Sequence, residues 1–257
     1  MPQRPTRKSI GIPFVELQSV DSTNNYARRL INEGLAENGM AIFAHEQIAG
    51  KGQRDKTWTT EKGTNIILSI IAKPAPLQVS QQFELNACIA VAVHDFFSKY
   101  AGDQTKIKWP NDLYWQDRKA GGILIENIIT SHSSVAGTWH WAIIGIGINI
   151  NQTSFLPKLK NPVSLKQITG KSFDPVLLAK DLCVSLDKYF QQLSLNGFGK
   201  IYSYYLDHIY KRKEKVKMKK GNKIFEAVIK GVSSSGKLIV QHSIDEEFDF
   251  GEIEWII

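Results

Sequence analysis

Residues 106–126 read Lys106-Ile107-Lys108-Trp109-Pro110-Asn111-Asp112-Leu113-Tyr114-Trp115-Gln116-Asp117-Arg118-Lys119-Ala120-Gly121-Gly122-Ile123-Leu124-Ile125-Glu126, and this stretch decides the fold. Residues 106–109 form a short strand that Pro110 stops, because proline has no N–H to give to a sheet ladder, and Asn111-Asp112 turns the chain. Residues 113–115 and 122–129 continue as strands with polar turns between them, an antiparallel meander. Lys119, just ahead of two glycines and an apolar strand, is placed to hold an anion above the sheet. The plainer reading is a hairpin turn with ordinary surface charge, and for Arg118 taken alone that reading is the better one.

Outward from the meander, residues 40–47, 64–71 and 139–150 have the β-branched content of further strands. The apolar face of 81–100 predicts a long helix closed by Ala101-Gly102-Asp103. His94 lies inside it and reads as a packed histidine. Asp21-Ser22-Thr23-Asn24-Asn25 caps a helix carrying Tyr26, Ala27, Leu30 and Ile31, with Gly34 as its stop. Asp174-Pro175 opens another helix reaching about residue 193, and one more covers 200–212. From residue 213 only short strands follow, at 215–218, 223–232, 237–242 and 247–255, with Gly221-Asn222, residues 233–236 and Asp245-Glu246 as separators. The expected fold is α+β: a mixed β-sheet domain flanked by helices over residues 1–212, then a small β-barrel over 213–257.

Composition narrows the function. With 257 residues, 42% apolar and 22% charged, the chain can bury a real core. Its longest apolar runs, 66–72 and 141–150, are too short to span a bilayer, and MPQRPTRKS lacks the apolar stretch of a signal peptide. Both point to the cytoplasm. The two cysteines, Cys88 and Cys183, suit buried thiols inside helices and not a disulfide framework. No pair of the six histidines has metal-ligand spacing, so no protein-bound metal is expected. Net charge is +7, concentrated in residues 211–223. Without interleaved aromatics this run reads as a solvated basic surface ahead of nucleic-acid binding.

Chemistry concentrates at three places. In Gly50-Lys51-Gly52-Gln53-Arg54-Asp55-Lys56-Thr57-Trp58 the glycines admit a close ligand, the cations suit phosphate or carboxylate, and Trp58 offers a flat face. An ordinary surface loop is an equal reading. Lys119 with Gly121 and Gly122 is the second place. Gly145-Ile146-Gly147-Ile148-Asn149 is the third: strand glycines mark a close approach, and an asparagine amide can read the edge of a base, although a crowded strand crossing explains the glycines equally well. Gly170-Lys171-Ser172 is no P-loop, because Leu165 stands where the upstream glycine is required.

Taken together, DSTNN, GKGQRDKTW, KWPNDLY, RKAGGILIE and GIGIN occur in the order and spacing of the biotin–protein ligases, and the chain from about residue 15 to residue 151 resembles that family. The resemblance implies a fold like that of class II aminoacyl-tRNA synthetases and biotin ligases, with a C-terminal SH3-like barrel. It implies that Ser22, Thr23, Gln47, Gly50 and Lys51 contact biotin, with Gly52 and Gln53 completing the loop. Lys119 matches the invariant lysine near the biotin carboxylate and the α-phosphate, with Gly121 and Gly122 beside it. Lys56, Trp58, Asn65 and Asn149 would bind the adenylate, and Gly145 and Gly147 line the pocket. Asp112 matches an aspartate of the transfer step. The loop departs from the fuller family pattern: Lys51 and Gln53 replace arginines and Asp55 replaces a glycine. Arginine at the Gln53 position helps retain the adenylate, a role for which Arg54 is the substitute, as a third catalytic side chain with Lys119 and Asp112.

The implied reaction activates biotin with ATP and Mg²⁺ and transfers it to a lysine of a biotin carboxyl carrier protein. Relatives with an N-terminal helix-turn-helix also repress transcription. Here DSTNN begins at residue 21, so no sequence-specific DNA binding and no membrane association are expected, while pairing into a homodimer through a sheet edge is a property of some relatives. Two competing readings stand: a lipoate or octanoate transferase of the same fold, which lacks KWPND, and a non-enzymatic binding module suggested by the basic charge.

Overall fold

The strand at Ile66–Ala72 (IILSIIA) is buried along its whole length, as a strand covered on both faces must be. The computed structural model describes residues 9–54, 56–130, 138–195 and 197–256. Residues 1–8 and Asp55, discussed above, lie outside the described residues. In chain order the elements are β1 (Phe14–Leu17), α1 (Thr23–Asn32), β2 (Ala41–Ala44), β3 (Ile66–Ala72), α2 (Gln82–Ala101), β4 (Thr105–Lys108), β5 (Asp112–Trp115), β6 (Arg118–Thr130), β7 (Thr138–Ile148), α3 (Leu165–Thr169), α4 (Pro175–Ser194), α5 (Phe198–Asp207), β8 (Lys215–Lys220), β9 (Lys223–Val232), β10 (Leu238–Gln241), β11 (Asp245–Phe248) and β12 (Glu254–Ile256). They form a seven-stranded sheet, β1-β2-β3-β7-β6-β5-β4, and a five-stranded sheet, β11-β10-β9-β8-β12. β1 runs parallel to β2, and every other pairing is antiparallel.

Side chains alternate between the faces of a strand, and here the alternation separates packing from chemistry. On one face Leu68, Ile146, Ile123, Leu113 and Ile107 pack with residues of α2 and α4 in one apolar cluster that also takes in Met218, Ile229 and Val240 of the smaller sheet. The two sheets therefore share a continuous core. α4 starts where Asp174 Oδ1 accepts from the backbone N–H groups of Val176 and Leu177, with Pro175 in the first turn. The opposite face is covered by α1 at one end only, where Ala27 meets Ile42, Ile71 and Ile143.

Cys88 and Cys183 are buried thiols in α2 and α4, and burial pushes the Cys183 thiol up to about 12. His94 is 2% exposed. Its Nε2 is 2.9 Å from the Thr105 carbonyl oxygen and its Nδ1 is 3.1 Å from the Tyr204 hydroxyl, so α2 is tied to β4 and α5. Burial, reinforced by the neighbouring His208 and Lys106, holds its pKa down at about 4.

Two expectations need correction. The helix expected over 200–212 ends at Asp207, because the following residues pair along the free edge of β4: Ile107 N–H donates to His208 and Tyr210 N–H to Ile107, both at 2.9 Å. The strand expected over 247–255 is two strands, since Gly251 adopts φ +93° in a turn between β11 and β12, and Asp245-Glu246 belong to β11 instead of separating strands. β1 and α3 were not anticipated. For α3 the signal existed: Ser164 and Gln167 form a reciprocal capping box.

Candidate active site

The floor of the site is one cross-strand row. Gly147 on β7 stands opposite Gly122 on β6, Gly122 opposite Asp112 on β5, and Asp112 opposite Lys108 on β4. Residues in register point to the same face, so an acid and a base lie beside a stretch without side chains. An irregularity between Leu113 and Tyr114 adjusts the register near Lys119, whose Nζ donates to Asp112 Oδ1 at 2.6 Å. Both partners are partly exposed, so the pair adds little stability. Its consequence is geometric: the ammonium is fixed above the glycines.

Lys108 Nζ donates to the Tyr114 hydroxyl at 3.2 Å and lies 4.7 Å from the centre of the Tyr114 ring and 5.5 Å from that of Trp255. Burial lowers its pKa to about 8; Asp112 opposes the shift, and Lys119, Lys56 and Lys160 add to it. Lys56, Lys119 and Lys160 all act on Lys108 as positive charges, a field that attracts anions.

Trp58 roofs the row. A Cβ on Gly147 would come within 2.5 Å of the indole, which explains the glycine, and Lys119 Nζ is 5.9 Å from the indole centre. The indole Nε1 is buried without a hydrogen-bond partner among the described residues. The loop is folded as a narrow hairpin: Trp58 N–H donates to Gly50 at 2.9 Å, Gly52 N–H to Lys56 at 2.6 Å, and Lys56 N–H to Gln53 at 3.2 Å. Lys51 Nζ reaches Asn25 Oδ1 at 2.6 Å. Arg54, expected as a catalytic cation, points elsewhere. With φ 54° its guanidinium donates to the Phe250 carbonyl at 3.1 Å and lies 4.6 Å from the centre of the Phe250 ring. It fits there because residue 251 is glycine; a Cβ at that position would coincide with the guanidinium.

Beside the row lies a buried polar cradle. Ser22, Thr23 and Asn24 open α1 and are each under 4% exposed. Gln47 Oε1 accepts from Thr23 N–H at 2.7 Å and from its hydroxyl at 3.0 Å. The Ser69 hydroxyl is 2.7 Å from Thr23 Oγ1 and 2.6 Å from Asn24 Oδ1, and Asn24 Nδ2 donates to Glu126 at 3.0 Å. A Cβ on Gly145 would come within 2.6 Å of Asn24 Oδ1. Asn65 and Asn149 sit at the end of β3 and β7, with their amides engaged locally. Asn65 Oδ1 accepts from Ile150 N–H at 2.8 Å, its Nδ2 donates to Gln152 at 2.6 Å, and Asn149 Nδ2 donates to the Val163 carbonyl at 3.1 Å. Arg118, expected as an ordinary surface charge in a turn, opens β6 half-buried and donates to the Pro162 carbonyl at 2.6 Å.

The structure thus brings Ser22, Thr23, Gln47, Lys51, Trp58, Asp112, Lys119, Gly122, Gly145 and Gly147 around one floor, while Arg54 faces the smaller sheet. Sequence reasoning missed Asn24, Ser69, Glu126, Lys108 and Lys160. Only Asn24, Lys108 and Glu126 lie inside motifs already singled out.

The family profile described as the biotin/lipoate A/B protein ligase family matches residues 16–149. The chain is 34% identical over 196 residues to the bifunctional ligase/repressor BirA of Bacillus spizizenii, covering 75% of this chain and 58% of that protein. It is 28% identical over 232 residues to the biotin--[acetyl-CoA-carboxylase] ligase of Paracoccus denitrificans, covering 88% and 92%. The chain spans just over half the length, 58% and 55%, of the two Bacillus relatives it matches. Its fold is that of the biotin protein ligase from Aquifex aeolicus in complex with biotin and ATP, with TM-score 0.77 at 24% identity over 94% of this chain and 97% of that one. On the extent of the family match and the identity to the Bacillus ligase/repressor, this chain is a member of the biotin/lipoate A/B protein ligase family.

Proposed function

We propose that this chain uses ATP to convert biotin to biotinyl-5′-adenylate and transfers the biotinyl group to a lysine of a biotin carboxyl carrier domain. The observation that carries the reading is Lys119, held by Asp112 above a side-chain-free floor and under an indole, next to a buried polar cradle. The cradle offers donors and acceptors suited to a compact polar head such as a ureido ring, and the lysines attract a carboxylate and a polyphosphate to the same point. A biotin carboxylate oxygen attacks the α-phosphorus in line, and pyrophosphate leaves with the P–O electron pair. Lys119 neutralises the developing charge, a contribution of about 3 kcal/mol by the standard of single oxyanion donors. The acceptor amine then attacks the acyl carbon and AMP leaves. Asp112 orients that amine.

Magnesium enters as part of the nucleotide substrate. Among the described residues there is no group of three His, Cys, Asp or Glu side chains that could hold a metal ion. No helix among the described residues is long and apolar enough to cross a membrane. We assign the ligand site to residues 1–212 and treat 213–257 as the appended β unit.

The test is biotin-dependent exchange of labelled pyrophosphate into ATP, with lipoate and octanoate in parallel and Lys119→Ala as control. Exchange with biotin alone, lost in the variant, supports the reading. Exchange with lipoate or octanoate moves the chain to the other branch of its family, and no exchange with any acid refutes ATP-dependent activation.

A further inference from the structure

Resting on that reading, we propose that Lys108 is the group that takes the proton from the acceptor's ε-ammonium in the transfer half-reaction, with Tyr114 and Trp255 holding its amine in place. An acceptor lysine arrives protonated and is inert until it loses a proton. It arrives, moreover, where the positive field of Lys56, Lys119 and Lys160 already acts on Lys108. Asp112 has an oxygen taken up by Lys119 at 2.6 Å, and a carboxylate is a far weaker base than an amine. Lys119 is bound by that same contact. Among the described residues Lys108 makes no ion pair with a carboxylate, its side-chain hydrogen bond going to Tyr114. It stands directly across the β4–β5 pair from Asp112, half-buried on the same face, and its nitrogen is fixed by the Tyr114 hydroxyl and two rings.

The groups facing Lys108 are Asp112 and Tyr114 on β5, Lys119 on β6, Lys56 of the loop, Lys160, and Trp255 on β12. Behind them Tyr210 lies 5.0 Å from Tyr114 and 5.7 Å from Trp255, donates to Asp117 at 2.7 Å and carries Lys211 over its ring. Burial among these groups lowers the Lys108 pKa to about 8, so an appreciable fraction of the amine is neutral near neutral pH. The balance is simple. The acceptor ammonium gives one proton to Lys108 Nζ. The neutral amine forms the N–C bond, the C–O bond to phosphate breaks, and AMP leaves with that electron pair. The second amine proton and the one on Lys108 pass to solvent. Trp255 belongs to the smaller sheet, so that sheet takes part in the chemistry by shaping this lysine.

The experiment adds synthetic biotinyl-5′-adenylate to the whole enzyme and follows a single turnover to an apo carrier domain from about pH 6 to pH 10. Hydroxylamine, already neutral at neutral pH, serves as the alternative nucleophile. We expect carrier transfer by the parent to rise through an inflection near 8. Lys108→Arg should lose the inflection and slow carrier transfer about a hundredfold, the usual scale for a missing general base, while hydroxylamine capture falls far less. Trp255→Leu should move the inflection upward as the amine gains water. Lys108→Arg transferring with the parent's rate and inflection would overturn the proposal, and so would an equal loss with hydroxylamine. Tyr114→Phe, a milder change, should shift the same inflection, and its failure to do so also counts against the role. A parent that fails biotin-dependent pyrophosphate exchange defeats the ligase reading instead.

Discussion

The row Gly147, Gly122, Asp112, Lys108 and the loop at 50–58 use the same materials, glycine next to cation, and hold them by different means. In the row every position is set by strand register, and the strands rest on a face of isoleucine and leucine packed with α2 and α4. In the loop the ring of contacts is a narrow hairpin, one lysine–asparagine bond and the landing of Arg54 on Phe250. Much of the loop is exposed and the row is not. A rigid floor fixes where charge develops, whereas a loosely tethered roof can open for substrate and close over a reactive product. The difference predicts that damage to the row costs rate or stability, and damage to the loop costs retention.

The sharpest break on the row side is Lys119→Ala, expected to lower biotin-dependent pyrophosphate exchange about two hundredfold with the urea unfolding midpoint nearly unchanged, because the ion pair is partly exposed. A loss of under tenfold would mean that the loop cations carry the charge instead.

The anchoring of β4 gives the next effect. His94 is held neutral in the fold at about 4, below its ordinary 6.5. The unfolded chain therefore takes up a proton first as pH falls. Stability contributed by the neutral form is complete above 6.5 and is lost progressively down to about 4, amounting to about 3 kcal/mol across the window. Urea unfolding of the parent and of His94→Asn at a series of pH values checks this: the parent should lose about 2 kcal/mol more than the variant between pH 7 and pH 4.5. Parallel curves would remove His94 as the anchor.

Local chemistry made most of the row legible, whereas the cradle residues Ser22, Thr23 and Gln47 were reached only through the family resemblance, and the reason is range. KWPND and RKAGG announce a hairpin and its lysine through local chemistry: a proline that stops a strand, an Asx turn, glycines that clear the floor. Asn24 meets Glu126 across 102 positions and Ser69 across 45. Nothing local in DSTNN says which strand Asn24 will touch. Arg54 shows the same limit more sharply, since its direction depends on a glycine that sequence reading placed inside one continuous strand. The contact of Trp255 with Lys108 left no local signal either, because it depends on β12 pairing with β8.

Two glycines on β7 compare fixed and movable neighbours within one strand. Gly145→Ala drives a methyl group to 2.6 Å from Asn24 Oδ1, inside the buried cradle, and should destabilise the fold by about 2 kcal/mol while raising the Kd for biotin. Gly147→Ala meets the Trp58 indole at 2.5 Å, but the loop can yield. We expect about a tenfold weaker retention of the adenylate, of the order of one displaced aromatic contact, with unfolding little altered. Equal destabilisation by both would show that the loop is as rigid as the row.

The smallest expected effect tests the tether itself. Arg54→Ala removes a guanidinium from an exposed ring and carbonyl, contacts worth about 0.5–1 kcal/mol, so global stability should hardly move. If the tether biases the loop toward closure, that energy corresponds to a two- to fivefold shift in the closed fraction. Release of preformed adenylate into solution, followed by its hydrolysis, should quicken by about that factor, and limited proteolysis within 50–58 should speed up in parallel. Gly251→Ala must expel the same guanidinium from the other side of the contact. The double variant should therefore be no leakier than either single one, since a contact broken once cannot be broken again. Additive leakage would mean that Arg54 acts on the adenylate directly, and the loop would then be held closed by the Lys51–Asn25 bond and the hairpin alone.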